Sequence, residues 1–202
     1  VKSDSLVSIS LWPVEDPTRF GVADFDQKKG LIRRFQEKPS LEEAYSNLIN
    51  AGCYIIETSV IQGLSTEFHS MERDVFPGIA ESGRMGGYRY SGRFIDAGTP
   101  KSYLEAMVAA IEDNSFTIGG IVGTSWYADP KMSKKGIENS AVGMECKLGD
   151  GIRVNRSAIL EGARIGENAH LDICLIGRGS VVPANSRLVD MVIGFNQQYQ
   201  RK

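Results

Sequence analysis

Histidine, cysteine and surplus positive charge are all scarce in this chain of 202 residues, and each scarcity closes off a class of chemistry. The only histidines are His69 and His170, which leaves little for an imidazole base. The three cysteines, Cys53, Cys146 and Cys174, stand far apart with no C-x-x-C spacing. A structural zinc site and a disulfide framework are therefore not expected, whereas buried free thiols in a reducing, cytoplasmic setting are. The formal net charge of −2 offers no basic footprint for nucleic acid. No apolar run approaches the roughly 20 residues of a membrane span, so no membrane partner is expected. The 42% hydrophobic and 24% charged residues give an ordinary globular balance, sufficient to build a core.

The second half of the chain carries a phase-locked repeat. Aliphatic residues fall at Val142, Leu148 and Val154, then Ile159, Ile165 and Leu171, then Ile176, Val182 and Leu188. Steps of six, six and five recur every seventeen residues, the signature of a parallel β-helix in which each step supplies one face of a triangular coil. Ordinary antiparallel strands rarely hold phase in this way. Three inward columns are predicted: Val142, Ile159 and Ile176; Leu148, Ile165 and Val182; Val154, Leu171 and Leu188. Gly143, Gly149, Gly166 and Gly177 follow aliphatic positions, where a corner can use backbone angles open to glycine.

The first hundred residues alternate strand and helix signals instead. Leu6–Leu11, Phe20–Phe25, Leu31–Phe35, Cys53–Ile56, Tyr88–Tyr90 and Phe94–Ile95 read as strands. Ser40 with Glu43 forms a capping-box pattern that opens a short helix through Tyr45. Ser59–Leu64 reads as helical, and Ser70 caps a segment carrying Val75, Phe76 and Ile79, with Pro77 limiting its regularity. Thr99 as N-cap and Pro100 at the first helical position start a further helix that Asn114 ends. This alternation predicts an α/β domain with a mixed sheet. The expected organisation is 1–115 for that domain, 116–136 for a connector, 137–194 for the β-helix and 195–202 for a tail. Val1 is not an initiator methionine and a strand begins almost at once, so a piece of a longer protein is expected.

Four short segments lie where a strand gives way to a loop, the usual place for ligands in α/β sheets. They are Phe20-Gly21, Glu37-Lys38-Pro39, Asn50-Ala51-Gly52 and Asp96-Ala97-Gly98-Thr99-Pro100. Singly, each has a plain structural explanation: a solvated strand exit, a bend, a turn ahead of a helix. Their order and spacing carry more. With Val14–Val22, Phe35–Pro39, Leu48–Ile55, Ser70–Pro77 and Phe94–Leu104, residues 5 to 110 resemble the C-terminal half of the catalytic domain of the sugar-1-phosphate nucleotidylyltransferases. The N-A-G and S-x-E-R-D-x-F-P wording is most similar to that of the mannose-1-phosphate guanylyltransferases. The resemblance implies a partial Rossmann-like mixed-sheet nucleotidyltransferase domain followed by a left-handed parallel β-helix of hexapeptide repeats.

It also implies roles for particular residues. Glu37 would accept hydrogen bonds from sugar hydroxyls, and Lys38 would set a positive charge on the sugar phosphate. Asn50, with Gly52 beside it, would contact the sugar, and Gly21 would let the backbone approach the ring. Asp96 would be one of two aspartates holding Mg²⁺. Nucleoside triphosphate and sugar 1-phosphate would be the small-molecule partners, and a homo-oligomer, formed through the β-helix, is expected. Phe94 departs from the tryptophan that many members carry. The larger departure is that the family's glycine-rich loop, G-G-x-G-T-R-x-x-P, and its K-P signature occur nowhere in the 202 residues. The chain alone is therefore expected to be inactive. Two other classes stay open: a non-catalytic assembly or regulatory module built on the β-helix, and a hexapeptide-repeat acyltransferase, for which His170 is the one histidine inside the repeat.

Overall fold

The computed structural model describes residues 4–200. Its contacts divide into two units, one ending at Phe94 and the next beginning at Ile95. In the first, β1 (Val7–Pro13), β2 (Gly21–Asp26), β3 (Leu31–Glu37), β4 (Leu48–Ile56) and β5 (Met85–Arg89) close into a ring in the order β1-β4-β2-β3-β5. β1 and β5 run parallel and the other pairs antiparallel, the mixed sheet that the sequence implies. Alternation along β1 turns Val7, Ile9 and Leu11 inward. There they meet Ala23, Ile32, Phe35 and Met85. Each such aliphatic side chain contributes roughly 1.5–3 kcal/mol by leaving water.

Short helical segments cover part of this ring. They are α1 (Thr58–Gln62), a π-helical turn over Met71–Val75, and α2 (Phe76–Glu81). The Ser70 hydroxyl accepts the Arg73 N–H and so caps the π turn, and Pro77 sits in the first turn of α2, where its missing N–H costs nothing. α2 buries Phe76 and Ala80 in the core. Two expectations fail here. Ser40 and Glu43 do exchange capping-box bonds, Ser40 N–H to Glu43 Oε2 at 3.1 Å and Glu43 N–H to Ser40 Oγ at 3.4 Å. They close only a turn. Leu41 stays 69% exposed, and a helix this short with no apolar face to bury does not recover its nucleation cost. Phe94-Ile95 is not a strand either, because no neighbouring strand among the described residues takes up its backbone groups.

The second unit begins with α3 (Pro100–Glu112). Thr99 and Ser102 form the full capping box at its start. At its end Asn114 takes φ 48°, Ser115 N–H reaches the Ala110 carbonyl and Asn114 N–H that of Ile111, a glycine-free version of the Schellman stop. Leu104, Met107 and Ile111 on one side of α3 pack with Ala158, Ala141, Leu175 and the stacked rings of Phe116 and Trp126. Residues 116–136 are more than a connector. β6 (Gly120–Val122) and β7 (Ser125–Tyr127) make a hairpin, and β7 extends a β-helix sheet in parallel, Tyr127 opposite Val142.

From Ile137 onward, two- and three-residue parallel strands stack in three sheets, as the repeat predicts. The first column runs Val142, Ile159, Ile176 and on to Ile193. The second runs Leu148, Ile165, Val182, and the third Ile137, Val154, Leu171, Leu188. The tail continues the stack: Gln198 bridges Val181 and Tyr199 packs on the core. Among the described residues no helix is long and apolar enough to cross a membrane.

Residues two places before the aliphatic positions also point inward, and all but Ile152 are small: Ser140, Ser157 and Cys174 at one corner, Cys146, Ala163 and Ser180 at the next, Ile152, Ala169 and Ser186 at the third. The first set forms a polar spine. The Ser157 N–H donates to Ser140 Oγ at 3.0 Å and the Cys174 N–H to Ser157 Oγ at 2.9 Å, while each hydroxyl donates to a carbonyl two residues back in its own coil.

The glycines serve a different purpose from the one expected. Gly143, Gly149, Gly166 and Gly177 do not have positive φ. A Cβ on Gly143 would stand 2.6 Å from the Glu161 nitrogen, and one on Gly166 would run into that of Ala184. These glycines let successive coils touch backbone to backbone. The left-handed corners lie elsewhere and tolerate side chains, at Glu145, Gly162, Gly179 and Asn196 for one column of corners. Gly166→Ala is therefore expected to destabilise the β-helix by about 1–3 kcal/mol. Gly162→Asn, whose Cβ would make only ordinary van der Waals contact with Gly179 at 3.9 Å, should cost less than about 1 kcal/mol. Denaturant midpoints of the two variants check the contrast, and equal losses would contradict it.

Candidate functional site

Five of the six residues singled out from the sequence lie in the first unit, and the antiparallel register of β2 and β3 sets Gly21 directly opposite Glu37. On the Cβ side of Gly21 the room is taken by the Phe35 ring and the Glu37 carboxylate, whose Oε2 would be 2.9 Å from an added methyl. The glycine thus makes a berth for the acid. Glu37 is withdrawn from water, its side chain 15% exposed. Burial pushes its carboxyl above the usual range; Lys38 opposes that shift, the charge of Glu72 adds to it, and Arg73 opposes it more weakly.

Lys38 stands at the end of β3 with φ 47°. That is unusual for a side-chain-bearing residue, and more so for one that precedes a proline, Pro39, which is buried. A conformation of this kind costs of order 1–3 kcal/mol. It is held by the Lys38 N–H donating to the Phe20 carbonyl at 2.9 Å. The ammonium remains mostly in solvent, 3.8 Å from Glu37 Oε1, too loose and exposed a pair to contribute much stability. Phe20, just before Gly21, joins an aromatic group: its ring meets Phe94 edge-on at 6.3 Å, and Trp12 lies 6.1 Å from Phe94 and 5.6 Å from Tyr90.

Asn50 and Gly52 sit on β4 where its pairing with β1 slips, between Leu11↔Asn50 and Ile9↔Tyr54. Gly52 takes φ 75°, and its N–H donates to Asn50 Oδ1 at 2.9 Å. The Asn50 amide in turn donates to the Tyr54 phenol at 2.7 Å, which donates to Glu72 Oε1 at 3.1 Å. Glu72 is on the π-helical turn, a distortion that is common at functional sites. Tyr54 and Glu72 were not singled out as site residues. The quoted S-x-E-R-D-x-F-P run contains Glu72, but only the bulge and the π turn bring it to Asn50.

Asp96 belongs to the second unit, exposed on the irregular segment before Thr99. Among the described residues no three or more His, Cys, Asp or Glu side chains stand together as a metal site would require. A single exposed carboxylate does not make a divalent-cation site, so the residues described here do not by themselves fit one. The thiols are free, with Cys146 and Cys174 buried as expected but Cys53 exposed on the bulge. His69 Nε2 lies 2.9 Å from Ser65 Oγ, and His170 is ranked between Arg153 and Arg187 on one β-helix sheet.

A family model described as nucleotidyl transferase matches residues 1–113. The chain belongs to this family. A second model, GlmU-like C-terminal hexapeptide, matches residues 112–202, in keeping with the stacked coils and the left-handed β-helix class expected. Among curated proteins, the chain is 29% identical over 92% of its length to the mannose-1-phosphate guanylyltransferase catalytic subunit beta of Danio rerio, of which it covers 54%. It is 27% identical over 92% of its length to the probable mannose-1-phosphate guanylyltransferase 3 of Oryza sativa subsp. japonica, again 54% of that protein. Against the catalytic subunit beta of Drosophila melanogaster the identity is 31% over 87% of the chain and 49% of the relative. The chain thus spans about half the length of the curated relatives it matches.

The withdrawn carboxylate of Glu37 leads to a pH dependence. Its folded pKa lies above the unfolded value, so the native state holds the proton more tightly, and ionisation costs stability as pH rises above the unfolded value. Glu37→Gln removes that cost. The variant should be the more stable form near pH 8, with its advantage fading below about pH 4. Melting curves at several pH values test this, and an advantage that grows toward acid would sink it.

Proposed function

We propose that this chain supplies the sugar-1-phosphate side of a nucleotidyl transfer, in which nucleoside triphosphate and sugar 1-phosphate become nucleotide sugar and pyrophosphate. The names of its relatives make mannose 1-phosphate and a guanine nucleotide the first substrates to try. The observation that carries the reading is Lys38, held in a strained left-handed conformation beside a withdrawn carboxylate, with its side chain 55% exposed and its ammonium only loosely paired, 3.8 Å from Glu37 Oε1. Strain of this kind persists where a site needs it, and the loose, exposed pair with Glu37 does not account for it.

In this reading Lys38 sets a point charge on the phosphate of the sugar, and Glu37, accepting at both oxygens when ionised, takes hydrogen bonds from the hydroxyls. The free groups of the Asn50 amide meet the sugar from the β4 side. Holding the phosphate oxygen in line with the α-phosphorus is the chain's share of the rate, since phosphoryl and nucleotidyl transfers depend mainly on positioning and charge. Mg²⁺ belongs to the proposal for the whole protein, with Asp96 offering one hard carboxylate oxygen. The cradle for the triphosphate would come from the glycine-rich loop that these 202 residues lack.

Calorimetric titration with mannose 1-phosphate should therefore give binding without turnover. Lys38→Ala should weaken that binding by roughly 2 kcal/mol, while its melting temperature stays close to that of the parent, the pair with Glu37 being loose and exposed. Pyrophosphate release at an ordinary enzymatic rate from the chain alone, or unchanged affinity in Lys38→Ala, would overturn the assignment.

A further inference from the structure

The Asn50 amide is locked at both ends, and the direction of the lock can be read from the chemistry of its partners. Glu72, when ionised, only accepts hydrogen bonds. The Tyr54 phenol at 3.1 Å from Glu72 Oε1 must therefore donate to it. Its oxygen is left to accept, and at 2.7 Å it accepts from the Asn50 Nδ2. The other end agrees independently: a backbone N–H, that of Gly52, requires an oxygen and finds Asn50 Oδ1 at 2.9 Å. Amide orientation is often ambiguous in a structure, but here a phenol oxygen whose proton is committed to Glu72 accepts at one end and a backbone N–H donates at the other, which allows one answer.

Glu72 is itself well anchored. Its second oxygen accepts the Ser70 hydroxyl at 3.2 Å, and Ser70 is held by its own N–H donating to Asp74 Oδ2 at 2.8 Å. The carboxylate that sets the direction of the run is thus tied to the backbone of the π-helical turn.

We propose that Glu72, acting through the Tyr54 phenol, is a positioning residue that fixes the Asn50 amide and so selects which one N–H and which one lone pair Asn50 presents to the sugar phosphate. This rests on the reading of the site as a sugar-1-phosphate subsite. The charge of Glu72 is also felt at Glu37, where it favours the protonated form, so the same residue touches both halves of the subsite. The competing role for Tyr54 is packing alone, since its ring meets Phe76 edge-on at 5.2 Å. Tyr54→Phe separates the two, because it keeps the ring and removes only the hydroxyl.

The test is titration of the full 202-residue chain and its variants with mannose 1-phosphate, alongside thermal melts. Tyr54→Phe and Glu72→Ala are expected to lose affinity by about tenfold. Glu72→Gln, which keeps an acceptor oxygen for the phenol, should recover to within about threefold of the parent. The side-chain amide signal of Asn50 in nitrogen–proton NMR spectra should move in Tyr54→Phe and return toward its parent position in Glu72→Gln relative to Glu72→Ala. If the parent binds and Tyr54→Phe binds equally well, the positioning role is wrong while the subsite reading stands. If the parent does not bind at all, the subsite reading fails and takes this proposal with it.

Discussion

The constraint on which both units depend is the space left by a missing side chain. At Gly21 it admits the Glu37 carboxylate and the Phe35 ring against the backbone of β2. At Gly143, Gly149, Gly166 and Gly177 it lets one coil of the β-helix rest directly on the backbone of the next. In neither place is the glycine needed for an unusual φ; it is needed for approach. A methyl group at any of these positions would push apart elements whose hydrogen bonds and packing assume contact, and close-packed interiors have little room to absorb such a shift.

In the first unit the same closeness has an electrostatic result. With Gly21 beneath it, Glu37 is drawn out of water, and its ionisation becomes sensitive to whatever charge stands nearby. Lys38 and Arg73 favour the ionised form and Glu72 opposes it. The carboxylate is balanced by neighbours on two different elements, the end of β3 and the π-helical turn. A cationic or anionic ligand arriving between them would shift that balance, so binding and proton uptake at this site are linked.

The β-helix was almost fully legible in the sequence because its period is written in the aliphatic residues themselves, and each of the three columns stands where the spacing places it. The serines, alanines and cysteines of the second inward set were not, since small residues carry little hydrophobic signal. Nor could the sequence separate a glycine used for approach from one used for a corner. The capping-box pattern at Ser40 and Glu43 was read correctly as a set of hydrogen bonds and wrongly as a helix, because nothing in four residues says whether an apolar face will be buried. At the site, Gly21, Glu37, Lys38, Asn50 and Gly52 could be named from motif order. Tyr54 and Glu72 could not be assigned, because their link to Asn50 runs through a bulge and a π turn, departures from the regular periods on which sequence reading relies.

The polar spine of Ser140, Ser157 and Cys174 has a consequence for how the second unit comes apart. Each coil satisfies its buried backbone groups through the coil beside it, and no bond in the spine reaches further than one repeat. Such a stack behaves as a row of coupled links, each held by its nearest neighbours. Opening begins where a coil has a neighbour on one side only, and it advances by whole coils, like a zip with seventeen-residue teeth. Val189, Val192 and Phe195, each more than half exposed, mark a stretch with less of this support, whereas coils covered on both sides are the last to exchange their amide protons.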